Sequence, residues 1–216
     1  ITMSIMARAH AKDPAAGYAG DFISAVLKPH ARAIAAQGVK VIANAGGVNP
    51  AACGAAVRAL IEKAGLDLKV AVITGDDLLP RAEELTRGGL AEMFTAEAFP
   101  PLDRIASLNA YLGAFPIARA LAEGADIVIT GRCVDSAVTL GACIHEFGWS
   151  ESDYDLLASG SLAGHLLECG PQATGGNYTD WEDAGDIANI GYPIGSVSAD
   201  GSFTVTKPDG TAGCVT

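Results

Sequence analysis

The chain has no paired cysteines. Its five (Cys53, Cys133, Cys143, Cys169 and Cys214) are scattered over 216 residues, odd in number and without a C-x-x-C among them. That argues against a disulfide framework and reads as reduced, mostly buried thiols of a cytoplasmic protein. No uninterrupted apolar run reaches the roughly 18 residues of a membrane-spanning helix, and no charged-then-apolar leader is visible. Basic residues are scarce: 14 Lys and Arg stand against 25 Asp and Glu, a formal charge of −11. Nucleic acid and anionic membrane surfaces are therefore poor partners, and an anionic small molecule would need a local positive site. Neither a G-x-G-x-x-G fingerprint nor a P-loop occurs.

What is abundant is small and apolar. Half of the residues are hydrophobic, 26 are glycine and only 6% are aromatic, which suits a compact Ala/Gly/Val-rich α/β core. The length allows one sizeable domain or a large piece of a bigger protein. The chain opens on ITMSIM, inside an apolar helical pattern, and closes on GTAGCVT just after a strand, so we read it as a fragment.

The periodicity alternates between helix and strand. Residues 1–11 and 22–37 read as helices, the second kinked or split at Pro29, with Asp21 as its cap and Gly38 as its stop. Val39–Ala43 is a strand, and a helix over Ala51–Ala64 follows with Asn49 as cap and Pro50 in its first turn. Leu68–Thr74 is a second strand, followed by a helix to about Leu85. A helix around Ile117–Ala122 then leads into Asp126–Thr130 (DIVIT), whose lack of alternation predicts burial on both faces. Beyond Trp149, helices are expected over 151–158 and 161–169, then a Gly-rich loop over 170–180. Ile194–Val197 and Ser202–Lys207 read as a hairpin turning at Asp200-Gly201. Three strand–loop–helix repeats predict right-handed crossovers and a three-layer, Rossmann-like α/β fold. Its mainly parallel sheet would have helices on both faces, with a C-terminal β-hairpin-rich extension. Residues 1–150 would form the doubly wound core, and 151–216 would pack on the same domain.

Candidate chemistry gathers at strand ends, where open α/β sheets bind ligands. Asn44–Asn49, with Gly46 and Gly47, could cradle a carboxylate or phosphate on backbone N–H groups, or be an ordinary turn. Asp76 either reaches a ligand or caps the next helix. Thr130–Ser136 is the richest stretch. Arg132 could clamp a carboxylate bidentately, Ser136 could add a hydroxyl, and Asp135 could act as general base or cap the following helix. Cys133 is a nucleophile only if something nearby activates it, and otherwise a buried thiol. His165, Glu168 and Cys169 share one helical face, which suits an acid/base pair, a partial metal site or a helix–helix contact. No second cluster completes a zinc signature, so no metal is assigned. Gly175, Gly176, Asn177 and Asp180 lie in a loop that could close over a ligand or simply turn on Trp181.

Several stretches together resemble one family. AKDPAAGYAGDF, VIANAGGVNPAAC, NAYLGAFPIARALAEGADIVITGRCVDSAVTLG, HEFGW, LAGHLLECGPQATGGNYTDW and NIGYPI are similar to the acyclic terpene utilisation (AtuA-type) proteins. Members of that family look longer, with an N-terminal strand and a Gly-rich G-x-G-S-G-F-W-G-D-type segment that this chain lacks. The resemblance implies a catabolic enzyme or enzyme subunit of citronellol- or geraniol-type degradation, a route running through acyl-CoA thioesters. The substrate would be a terpenoid or branched acyl-CoA or a related carboxylate; no cofactor is assigned, and CoA could enter as part of the substrate. It supplies no residue roles, so the site residues above rest on their own chemistry: Asp135, His165 and Glu168 for acid/base work, the others for binding. The alternatives are a non-catalytic binding or scaffold subunit of a degradative assembly, and a nucleotide-binding domain. A small-molecule substrate is the expected partner, and the Ala/Gly-rich helices suit a homo-oligomer.

Overall fold

The computed structural model describes residues 2–215. The chain divides into two compact units, Ile1–Gly113 with Ala120–Cys133 and Ala114–Arg119 with Val134–Thr216.

The first unit is built on a three-stranded parallel sheet of order β1-β3-β2, with β1 at Val41–Ala43, β2 at Val70–Ile73 and β3 at Ile127–Thr130. Val41 and Val70 both pair with Ile127, so β3 is flanked on each side. Every residue of β3 is buried, as its unbroken apolar run predicts, whereas β1 and β2 are half-buried. The same unit carries α1 (Thr2–Lys12), α2 (Lys28–Gln37), α3 (Pro50–Ala64), which packs on β2 and β3, and α4 (Ala82–Arg87). The core joins Leu27 ahead of α2 and Cys53, Val57 and Ile61 of α3 to Ile127 and Ile129. Full burial of each large aliphatic side chain contributes roughly 1.5–3 kcal/mol. Gly54 lets α3 lie close on β2, because a Cβ there would meet the Val72 methyl.

Pro29 lies in the first turn of α2, and the helical run continues through it to Gln37. The turn before α2, Phe22–Leu27, is π-helical, and the Lys28 N–H donates to Ile23 five residues back. Asp21 accepts from the Phe22 N–H. Asn49 caps α3 through the Ala52 N–H, and Gly38 and Gly65 end α2 and α3 in the left-handed region.

Asp126 fastens the amino-terminal edge of the sheet. Its carboxylate accepts from Lys40 Nζ and the Lys69 N–H, both at 2.8 Å, while its carbonyl accepts from the Val41 N–H at 2.9 Å. The Lys40 ammonium holds this carboxyl below the usual range, against desolvation and with help from the Lys69 amide.

Helix α5 (Phe115–Ala122) contributes residues to both units. The second unit holds α6 (Ala137–Phe147), α7 (Tyr154–Glu168) and the antiparallel pair β4 (Ile194–Val197) and β5 (Phe203–Thr206). Here the expectation of two helices at 151–158 and 161–169 is corrected, since α7 is continuous. Gly160 lets α6 and its flank press close: a Cβ there would lie 2.8 Å from both Leu140 Cδ1 and Trp149 Cζ3. Gly164 does the same against Ser136. The Trp149 indole donates to the Ala199 carbonyl at 3.0 Å. Among the described residues, no helix is long and apolar enough to cross a membrane.

Candidate functional site

The carboxyl ends of the three parallel strands open onto Asn44–Asn49, Gly75–Asp77 and Gly131-Arg132. Asp76 ties two of these together. It is 2% exposed, and its Oδ2 accepts from the Arg132 N–H at 2.7 Å and from Asn109 Nδ2 at 2.9 Å. The helix-cap reading of Asp76 is therefore corrected; it is Asp77 that accepts from the Leu79 N–H and caps the next turn. Gly131 has to be glycine for this contact, since a Cβ would lie 2.5 Å from Asp76 Oδ2 and 2.6 Å from its Cγ.

Residues 108–112 are stapled along the same edge. Leu78 N–H donates to Leu108, Ala110 N–H to Asp76 and Leu112 N–H to Arg132. This places Tyr111 under Arg132, whose guanidinium carbon sits 4.1 Å from the ring centroid. Asn109 and Tyr111 escaped the sequence reading as site residues, although both lie in a stretch that carries the family resemblance. Asn109 is 33 residues from Asp76, and no local spacing rule connects the two.

A cleft of about 260 Å³ lies over the ends of β1 and β3. Met3, Met6 and Ala19 give it an apolar side, and Asn44, Gly47 and Arg132 line it from the strand ends. Gly47 has φ +54°, and any side chain there would strike Met6 and the Gly17 carbonyl. Among the described residues, this lining holds no carboxylate, imidazole or thiol. The lining thus mixes an arginine and an asparagine with two methionines and an alanine.

The backbone cradle expected at Asn44–Asn49 is closed. The N–H groups of Gly46, Gly47, Val48 and Asn49 donate to the carbonyls of Thr130, Asn44, Gly17 and Gly46. Gly46 is needed because its Cβ position is 2.5 Å from the Thr130 oxygen. Asn49 works as a latch, with Nδ2 donating to Pro14 and Ala16 carbonyls at 2.9 Å each. Of this turn, Asn44, Ala45 and Gly47 reach the cleft.

The remaining candidates, apart from Cys133, belong to the second unit. Ser136 precedes α6 without a side-chain cap bond and packs on Gly164, and Asp135 is half-buried beside it. His165, Glu168 and Cys169 are exposed near the end of α7. The Cys169 thiol donates to Glu168 Oε1 at 3.0 Å. That carboxylate, then desolvation and the charges of Glu168 and Asp135, push the thiol up. No group of three His, Cys, Asp or Glu among the described residues could hold a metal ion. Cys133 is 0% exposed, which fits the buried-thiol reading.

The Gly-rich segment forms a 3₁₀ turn, Gly170–Thr174, followed by Gly175 at φ +100°. Gly175 and Asn177 line a second cleft of about 390 Å³ with Leu166, Tyr178 and Val205. Gly176 packs on Pro171, and Asp180 is exposed ahead of the turn Trp181–Ala184. The loop is stitched to the end of the chain, as the Cys214 and Gly213 N–H groups donate to Thr174 and Ala184.

The architecture is that of a mixed α/β protein with a small polar-and-apolar cleft at the carboxyl edge of a parallel sheet. A family model described as "Acyclic terpene utilisation family protein AtuA" matches residues 1–216. The chain belongs to that family, which implies involvement in acyclic terpene utilisation. No curated protein and no solved structure matches it.

Proposed function

We propose that the first unit binds the acyl portion of a branched or terpenoid carboxylate, free or as its CoA thioester, in the strand-end cleft. The protein then serves as a catabolic enzyme or enzyme subunit of acyclic terpene breakdown. The observation that carries this reading is the pairing of Arg132 and Asn44 with Met3, Met6 and Ala19 around about 260 Å³. Arginine offers a planar donor fork suited to a carboxylate, and the asparagine amide can donate to a thioester or acid carbonyl. Methionine is adaptable, so its side chains accommodate a methyl-branched, unsaturated chain without a rigid mould. A ligand of this class also fits a chain of net charge −11, because the cation is local to the site. We place the protein among Rossmann-like, doubly wound α/β proteins of the cytoplasm, the setting in which strand-end clefts commonly hold anionic ligands.

The test is a thermal-shift series on the full-length protein with citronellate, geranate, their CoA thioesters, the matching alcohols and free CoA. A ligand bound only by the native state stabilises it by about 2.7 kcal/mol at a hundredfold excess over its Kd. Acids or thioesters should raise Tm and alcohols should not. Equal shifts with acids and alcohols would remove the carboxylate from the reading.

A further inference from the structure

A different surface of the first unit carries its own chemistry. A groove of about 460 Å³ runs between α2 and α3, floored by Ala31, Leu60 and Ala64 and rimmed by Lys28, Arg32 and Lys63. No carboxylate lines it. Arg32 is anchored at the rim, with Nη2 donating to the Ala64 carbonyl at 2.9 Å. Three of only 14 basic residues thus surround one apolar depression in a chain of formal charge −11.

The complementary chemistry is present in the second unit. In residues 178–187, Tyr178 is 41% exposed, Trp181 58% and Ile187 41%, and Asp180, Glu182, Asp183 and Asp186 are all exposed. The segment is preformed: Asp183 N–H donates to Asp180, Gly185 N–H to Glu182, and Gly213 N–H to Ala184. It presents an exposed indole and four exposed carboxylates within seven residues, at little ordering cost.

We propose that this segment of one copy docks into the α2–α3 groove of a second copy. Trp181 would cover the Ala31–Ala64 floor, and the carboxylates would face Lys28, Arg32 and Lys63. A tryptophan anchor buries about 150–250 Å² and is the residue type most enriched at interface hot spots, while rim charges set orientation and encounter rate. The contact is heterologous, groove to loop, so it propagates into a ring or a chain.

The test is sedimentation velocity on the full-length protein at about 0.05 M and about 0.5 M salt, where screening lengths differ severalfold. The wild type should self-associate at low salt and dissociate at high salt. K28E/R32E/K63E and D180K/E182K/D183K should each weaken association roughly tenfold or more. Mixing the two reversed variants should restore it. Trp181→Ala, at an exposed position, should also weaken it and serves if a charge-reversed variant fails to fold. A wild type that stays monomeric, or associates independently of salt and of Trp181, overturns the proposal, as does a folded pair of reversed variants that do not recombine.

Discussion

Adding one methyl group at Gly131 should be among the most damaging substitutions in the first unit. In Gly131→Ala the new Cβ would lie 2.5 Å from Asp76 Oδ2, which is buried and already accepts from the Arg132 N–H at 2.7 Å and from Asn109 at 2.9 Å. Either the carboxylate withdraws and strands those donors, or the end of β3 shifts and carries Arg132 with it. Overpacking costs about 1–3 kcal/mol, and a buried hydrogen bond to a charged group about 1.5–3 kcal/mol. We expect a loss of about 3 kcal/mol, which for a chain of this length lowers Tm by about 6–12 °C. Urea denaturation of the four members of the Gly131→Ala and Asp76→Ala cycle separates this cause from a general intolerance of alanine. With Asp76 truncated, the added methyl has space, and its cost should fall below about 1.5 kcal/mol. A near-neutral Gly131→Ala, or equal costs in the two backgrounds within about 0.5 kcal/mol, would refute the reasoning.

Other consequences follow from single residues. Asn49→Ala removes both the α3 cap and the latch on Pro14 and Ala16, and should cost about 1–2 kcal/mol by denaturation. Asp126 has a lowered folded pKa, so its stabilisation is present above its unfolded pKa of about 3.9 and is lost as pH falls through the folded value. Asp126→Asn should therefore make the loss of stability below about pH 4 less steep, an effect that salt reduces because Lys40 is 43% exposed. Cys169 is held as a thiol chiefly by its hydrogen bond to the Glu168 carboxylate. Glu168→Gln should accelerate its alkylation by iodoacetamide near pH 8, and an unchanged rate would show that the carboxylate does not control it.

The parts of this fold legible in the sequence were those written locally. DIVIT announced a strand buried on both faces because five adjacent residues carry the signal, and Asn49-Pro50 announced a helix start for the same reason. Pro29 suggested a kink or a split, whereas the helical run continues through it after a π-helical turn. The strand order was not legible, since nothing in β1 or β2 tells that β3 will lie between them. Asp76 looked like a cap because an acidic residue ahead of a helix usually is one; its real partners, Asn109 and the Arg132 amide, arrive from remote segments. The turn at Asn44–Asn49 shows a subtler failure. Its glycines were rightly singled out, but they serve close contact with Thr130, Met6 and Gly17 rather than an open array of N–H donors. Arg132 was picked for its place at a strand end, and it does line a cleft there. The apolar wall from α1 was not foreseen, because helix α1 gave no hint of which strand it would meet.

The most direct measurement is a calorimetric titration of full-length wild type and Arg132→Ala with the free acid that gives the largest thermal shift. If the strand-end cleft binds the carboxylate through Arg132, the folded variant should lose about 1.5–3 kcal/mol of binding free energy, roughly a ten- to hundredfold rise in Kd. A folded Arg132→Ala protein that binds with wild-type affinity would contradict the account.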